Sequence, residues 1–410
     1  MRIALLRRVT RRAIIRPVMS TQGKRSSMRA KLMRNQRRLC EDPHRPLAMT
    51  ELTIEKIERY LGIVYGQPIH VLGLAPLGED RQDKALKFGG YGSPVRVDYQ
   101  LPDQKARSLV LHTMRPGPFG HEHMADRAQI LLWSNQAFRC LPRHVRSFDA
   151  GGFRSDGTLI SVGDVEEFFL LTEYADGQGY FCDLERLRGG GALCNLDLDR
   201  ADALCDYLIE IHGKRGGSPE LYTRRIRELV GHGECIMGIA DSYLPHPMIT
   251  SEKLRQIEHR CVDWRWRLKG MTHRLRVVHG DFHPWNILFR SGTDFSVLDR
   301  SRGEYGDPAD DVACLTMNYV FFSLQRNDRL EEDFDTLFLR FWNRYLEKTG
   351  DREMLQVVAP FLAFRALVMA SPVWYPNLSE SVRSKLLAFI FGVLDSESFD
   401  PAQVNKYCGD

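Results

Sequence analysis

The reading of this chain turns on residues 276–311, RVVHGDFHPWNILFRSGTDFSVLDRSRGEYGDPADD. Arg276-Val277-Val278-His279 is short, β-branched and closed by Gly280, which predicts a buried strand ending in a loop. Asn286–Arg290 and Phe295–Asp299 read as two more short strands, with the Ser-Gly-Thr-Asp turn at 291–294 joining them as a hairpin. Antiparallel pairing sets the start of one strand beside the end of the other, so Asn286 is expected close to Asp299. Asp281 lies on the loop just before. Two carboxylates and an amide oxygen are thus gathered on one small structure.

That set suits phosphoryl transfer from ATP. Magnesium prefers oxygen ligands and keeps several waters, so few protein oxygens suffice. An attacking hydroxyl needs a carboxylate to orient or deprotonate it. His279 to Asn286 fits H-x-D-x-x-x-x-N, the Asp-to-Asn spacing of a kinase catalytic loop. The stretch resembles the catalytic core of the aminoglycoside phosphotransferase and choline kinase family, which has a protein-kinase-like fold. The resemblance implies Asp281 as catalytic base and Asn286 and Asp299 as metal ligands. It also implies His279 as a brace for the loop, and Asp311, in Gly306-Asp307-Pro308-Ala309-Asp310-Asp311, as its hold from the following helix. ATP and magnesium are the cofactors it implies. Each residue taken singly is an ordinary loop or strand-end polar group; their order carries the signal.

A length of 410 residues predicts two lobes or domains, and 43% hydrophobic with 27% charged residues describes a globular protein with ample core. No apolar run approaches the length of a membrane span. Nine cysteines without a C-x-x-C pair read as reduced thiols of a cytoplasmic protein. The formal charge of +4 includes thirteen Lys and Arg in residues 1–39, which hold no acid, leaving −9 elsewhere. An acidic body argues against nucleic acid as a partner and is compatible with a cationic small-molecule substrate. Solvated surface acid is the commoner cause of such a balance. Residues 1–48 read as a basic, disordered and dispensable tail. An organelle transit peptide, a basic arm and an upstream extension of the reading frame are the competing readings.

Thr50 is the expected N-cap of a helix whose stripe is Leu52, Ile57 and Leu61, ended by Gly62 and Gly66. Three strands are then expected: Lys84–Phe88, Val95–Tyr99 and Ser108–Met114. Between the first two lies a glycine-rich turn with Gly89, Gly90, Gly92 and Ser93, the arrangement by which free N–H groups cover nucleotide phosphates. The family normally carries a Lys or Arg near the end of the third strand, paired with a helix glutamate; His112 takes that position here. Glu122 and Asp126 of the next helix, 121–139, are both candidate partners. Glu167–Tyr174 reads as a buried strand, and the resemblance makes it the linker where Glu173 and Tyr174 meet adenine.

The fold class expected is α+β: a bilobal protein-kinase-like fold with a small antiparallel N-terminal lobe and a larger, mainly helical C-terminal lobe. The boundaries are 1–48 tail, 49–176 nucleotide-binding lobe, 177–400 catalytic and substrate lobe, and 401–410 C-terminal tail. Helices are expected at 198–212, 219–240, 251–268, 312–325, 331–348, 353–370 and 379–394. Two functions compete. One is a magnesium- and ATP-dependent kinase acting on a small-molecule hydroxyl, to whose pocket Trp285 and Tyr305 could contribute. The other is a nucleotide-binding regulator with little turnover, suggested by His112 and by Arg300-Ser301 where the family usually has an aromatic residue.

Overall fold

The structure, a computed structural model, describes residues 52–77, 92, 94–102, 104–117, 119–138, 142–243 and 245–409. The expectations for the 1–48 tail, Thr50, the strand 84–88, Gly89, Gly90 and Ser93 lie outside those residues. The chain divides into two compact units, 1–170 and 171–410. The class is α+β, as expected, with small antiparallel sheets and a mainly helical second unit.

The first unit opens with helix α1 (Ile54–Tyr65), capped by Thr53, whose hydroxyl accepts from the Lys56 N–H. The helix runs through Gly62 and stops at Gly66, which takes the left-handed conformation that ends helices (φ 67°). Three strands follow, β1 (His70–Pro76), β2 (Val95–Gln100) and β3 (Arg107–Leu111), antiparallel in that order. Ile57 and Leu61 of α1 pack with Val71, Val97 and Tyr99 of the sheet as the core of the unit. Strand β1 was not expected, and β3 is shorter than expected, so His112 falls one residue past its end. Helix α2 (Met124–Ala137) and the hairpin β4 (Gly151–Phe153) and β5 (Leu159–Ser161) complete the unit.

The second unit begins with β6 (Gln178–Gly179), α3 (Phe181–Arg188), α4 (Asn195–His212), α5 (Pro219–Gly231), α6 (Ile236–Asp241) and α7 (Ser251–Leu268). The single helix expected over 219–240 is therefore two, interrupted where Gly231 and Gly233 weaken the helical backbone. The short strands β7 (Arg276–Val277), β8 (Ile287–Phe289), β9 (Phe295–Val297) and β10 (Tyr305–Gly306) follow. Then come α8 (Pro308–Asn327), α9 (Glu332–Thr349), α10 (Met354–Val357), α11 (Ala359–Ala370), α12 (Glu380–Leu394) and α13 (Val404–Tyr407). The run expected over 353–370 breaks at Val358, two residues before Pro360, which cannot donate to a continuing helix.

Helix α8 is buried on all sides from Pro308 to Leu324 apart from Asp310, which marks it as the central helix of this unit. Residues 401–409 are not a tail: Val404 and Cys408 are buried in the core of the unit. No helix among the described residues is long and apolar enough to cross a membrane.

Candidate active site

Strands β8 and β9 form the expected hairpin, with Ile287 opposite Val297 and Phe289 opposite Phe295. The Leu298 N–H donates to the Asn286 carbonyl at 2.8 Å, so the ladder extends one residue and Asn286 faces Leu298, the neighbour of Asp299. Asn286 itself belongs to a 3-10 turn over Pro284–Asn286 rather than to the strand. Its Nδ2 donates to the Asp281 carbonyl at 3.1 Å, which fixes the amide plane and turns Oδ1 away from that carbonyl. Asp299 leaves the hairpin exposed and in the left-handed region (φ 53°), an uncommon conformation for a residue with a Cβ.

The loop before the hairpin is held from α8. The backbone N–H groups of His279 and Gly280 donate to Asp311 Oδ2 and Oδ1, both at 2.7 Å. Asp311 is fully buried; His212 Nε2 lies 3.1 Å from it, and the other ring nitrogen of His212 lies 2.8 Å from the Tyr345 hydroxyl. Burial pushes the Asp311 carboxyl up, but the hydrogen bonds from His212 and from the His279 backbone outweigh it and hold the group below its usual range. His279 Nδ1 accepts the Asp281 N–H at 3.3 Å, so this side chain shapes the turn from inside. Burial pulls His279 below the ordinary histidine value, which favours the neutral ring. Gly280 has φ 87°, a conformation glycine adopts without strain.

The side chain of Asp281 sits among cations. Arg365 Nη1 donates to its Oδ1 at 2.6 Å, while Arg365 Nη2 reaches Asp310 at 2.6 Å and the Gly280 carbonyl at 3.2 Å. His283 Nε2 is 3.5 Å from Oδ2, and Arg302 Nη2 is 3.9 Å from Oδ1. Burial works against the charge on Asp281, but His283, Arg365 and Arg302 together hold the carboxyl far below its usual value. Sequence reading did not single out Arg365. Its signal was one arginine in the middle of APFLAFRALVMA, where a buried charge must have a partner.

Two further contacts were not foreseen from the sequence. Arg274 makes a two-pronged contact with buried Asp307, with Nε and Nη2 each 2.9 Å from a carboxylate oxygen. The Tyr222 hydroxyl donates to Asp307 at 2.7 Å, and Asp307 also caps α8 through the Ala309 N–H. Arg300 donates from Nε to the Val278 carbonyl and from Nη2 to the Glu304 carbonyl, both at 2.9 Å. It staples the loop after Asp299 to Val278, the residue that follows strand β7 and precedes the loop at 279–286. Trp285 stacks on Phe181 at 5.6 Å with the rings nearly parallel (7°).

The first-unit candidates are placed as follows. Gly92 runs against the backbone next to His112: a Cβ there would lie 2.2 Å from the Thr113 carbonyl oxygen. His112 is exposed. Asp126 accepts the His123 N–H at 2.7 Å as part of the capping box of α2, which already employs one of the two acids considered as partners for His112.

The buried strand expected over 167–174 is not observed. The segment has no regular structure, and Phe169, Leu170, Leu171 and Tyr174 are 90%, 87%, 88% and 88% exposed. A strand needs a ladder partner for its backbone, and none pairs with it among the described residues. Glu173 and Tyr174 lie in the second unit on this exposed segment.

The loop 279–286 is held by a helix aspartate and runs into a hairpin that leads to Asp299. Residues 167–354 match the family described as "Phosphotransferase enzyme family". The matched stretch contains Asp281, Asn286, Asp299 and Asp311 and ends before Arg365. A comparison with curated proteins gives no match. Among solved structures, the chain is similar to an amicoumacin kinase in complex with AMP-PNP, Ca2+ and Ami, at 14% identity over 81% of this chain and 94% of that one, TM-score 0.37. It is also similar to a glucosamine kinase, at 14% identity over 80% and 92%, TM-score 0.38. A third is a Plasmodium vivax ethanolamine kinase, at 14% identity over 81% and 82%, TM-score 0.32.

Proposed function

We propose that this protein is an ATP-dependent kinase that moves the γ-phosphate to a hydroxyl of a small molecule. The observation that carries the reading is the joint fixing of the catalytic loop: Asp311 takes the N–H groups of His279 and Gly280, and the Asn286 amide is anchored on the Asp281 carbonyl. Asp281 is the carboxylate that receives the acceptor hydroxyl and draws its proton. Its strongly favoured charged form makes it an orienting acceptor of that hydrogen bond across the physiological pH range. His279 keeps the turn in shape.

The donor set fits magnesium, a hard ion that takes one or two protein oxygens and completes its shell with water and phosphate. Asn286 Oδ1 and the Asp299 carboxylate are those oxygens. The ion, when bound, neutralises charge on the transferring phosphates. Gly89, Gly90, Gly92, Ser93 and His112 are the residues proposed to cover the phosphates, and Glu173 and Tyr174, in the second unit, those proposed to meet adenine. A regulator with little turnover is the second reading, and it rests on His112 alone once Arg300 is seen to serve as a staple.

The test is a thermal-shift titration with ATP and magnesium, followed by a screen of a metabolite pool for ATP-dependent phosphate incorporation. Stabilisation by Mg·ATP together with a phosphorylated hydroxyl product is expected. Stabilisation without turnover on any acceptor selects the regulator.

A further inference from the structure

We propose that Arg365 is the positioning residue of this site, a single guanidinium that fixes the Asp281 carboxylate against the catalytic loop and the central helix. The proposal rests on the reading of Asp281 as the carboxylate that meets the acceptor. Arg365 lies beyond the stretch that matches the phosphotransferase family, 84 residues after Asp281 in the chain.

The surroundings of Arg365 make a chance contact implausible. Helix α11 is buried along almost its whole length, and Arg365 is the single charged residue in it. A guanidinium taken out of water there costs several kcal/mol unless its donors find charged partners. Arg365 has two, and a carbonyl besides: Nη1 on Asp281, Nη2 on Asp310 and on the Gly280 oxygen. The ring of Phe364 lies 4.8 Å from the guanidinium carbon and closes off one side. These contacts join three elements, because Asp281 and Gly280 are on the loop, Asp310 is in the first turn of α8, and Arg365 is on α11.

The geometry also sorts the two oxygens of Asp281. Oδ1 is occupied by Arg365, with Arg302 standing farther off at 3.9 Å. Among the described residues Oδ2 has His283 Nε2 near it at 3.5 Å, a longer and weaker contact than the one from Arg365 to Oδ1. Oδ2 is therefore the oxygen offered to the acceptor hydroxyl, and Arg365 sets its direction by stopping the carboxylate from rotating. A lysine could not do the same, since an ammonium is a point charge without the planar fork that reaches two carboxylates and a carbonyl together.

The experiment uses the full chain with Arg365→Lys and Arg365→Gln, read three ways. These are kcat and KM for Mg·ATP hydrolysis with water as acceptor, amide hydrogen exchange over residues 279–286, and Tm. The expected result for Arg365→Lys is a kcat about 10²-fold lower, the scale of a 1 Å misplacement. Its KM for Mg·ATP should stay within about two-fold while exchange over 279–286 becomes faster. Arg365→Gln should lose at least as much kcat. If the glutamine variant does not fold, the lysine variant decides. Wild-type kcat and unchanged exchange in Arg365→Lys would overturn the proposal. So would a kcat loss matched by an equal loss of folded protein, since Arg365 would then be only a tie between helices. If the wild-type chain hydrolyses no ATP with water, the kinase reading is unaffected, because it rests on transfer to its own acceptor. The exchange data still decide then: faster exchange upholds the positioning role, and unchanged exchange removes it.

Discussion

Asp311 shows how much one buried carboxylate can organise. It receives the backbone N–H groups of His279 and Gly280 and lies against His212, all buried. Asp311→Ala leaves those donors buried without an acceptor, at a cost of about 1–3 kcal/mol each, and should lower both Tm and turnover. The pH dependence follows in sign. The folded-state value of Asp311 is depressed, so the stability it contributes is complete above the ordinary aspartate value of about 3.9 and is lost as pH falls toward the folded value. Tm measured from pH 6 to pH 3 should therefore fall less steeply in Asp311→Asn than in wild type; equal slopes would contradict the assignment. Asp281, Asn286, His279 and Asp311 were legible in the sequence because their spacing is local and their order unusual. Arg365 was not, because its meaning depends on a loop 84 residues earlier, and no periodicity reveals such a contact.

At the scale of elements, the hairpin and the helices 251–268, 332–349 and 380–394 were readable from turn residues and apolar spacing. Strand β1 was not. Gly73 sits at a shift of register against β2, and Pro76 ends the strand, so HVLGLAP lacks the clean alternation of a half-buried strand. The segment 167–174 failed in the opposite way: its composition is strand-like, but no ladder partner receives it among the described residues. Two predictions belong here. Arg274→Met leaves Asp307 charged and buried at the start of α8, and should cost about 3–5 kcal/mol, measured by denaturant unfolding. Gly92→Ala places a methyl 2.2 Å from the Thr113 carbonyl oxygen, so the backbone must shift at a cost of about 1–3 kcal/mol. Should Gly92 also cover phosphates, Mg·ATP affinity will fall more than the loss of stability explains. A variant with wild-type Tm and affinity would show that the close approach does not hold.

For the whole molecule, the chain divides into two compact units at residues 170 and 171, six residues before the boundary expected from the sequence. The junction exposes Phe168, Phe169, Leu170 and Leu171, so chymotrypsin should cut the native chain there first. Mg·ATP should slow that cut if Glu173 and Tyr174 take up adenine; a cleavage rate indifferent to nucleotide would remove those two residues from the site. The account as a whole stands on Asp281 as the reacting carboxylate and Asp299 as a metal ligand. The most direct measurement is turnover and nucleotide affinity, each against magnesium, for Asp281→Asn and Asp299→Asn on an identified acceptor. Asp281→Asn should lose ~10²–10⁴-fold in turnover with Mg·ATP affinity largely kept, the contribution of a positioned general base. Asp299→Asn should weaken metal-dependent nucleotide binding as well as turnover, with partial recovery at high magnesium. Wild-type turnover in Asp281→Asn would contradict the assigned base and the kinase mechanism built on it.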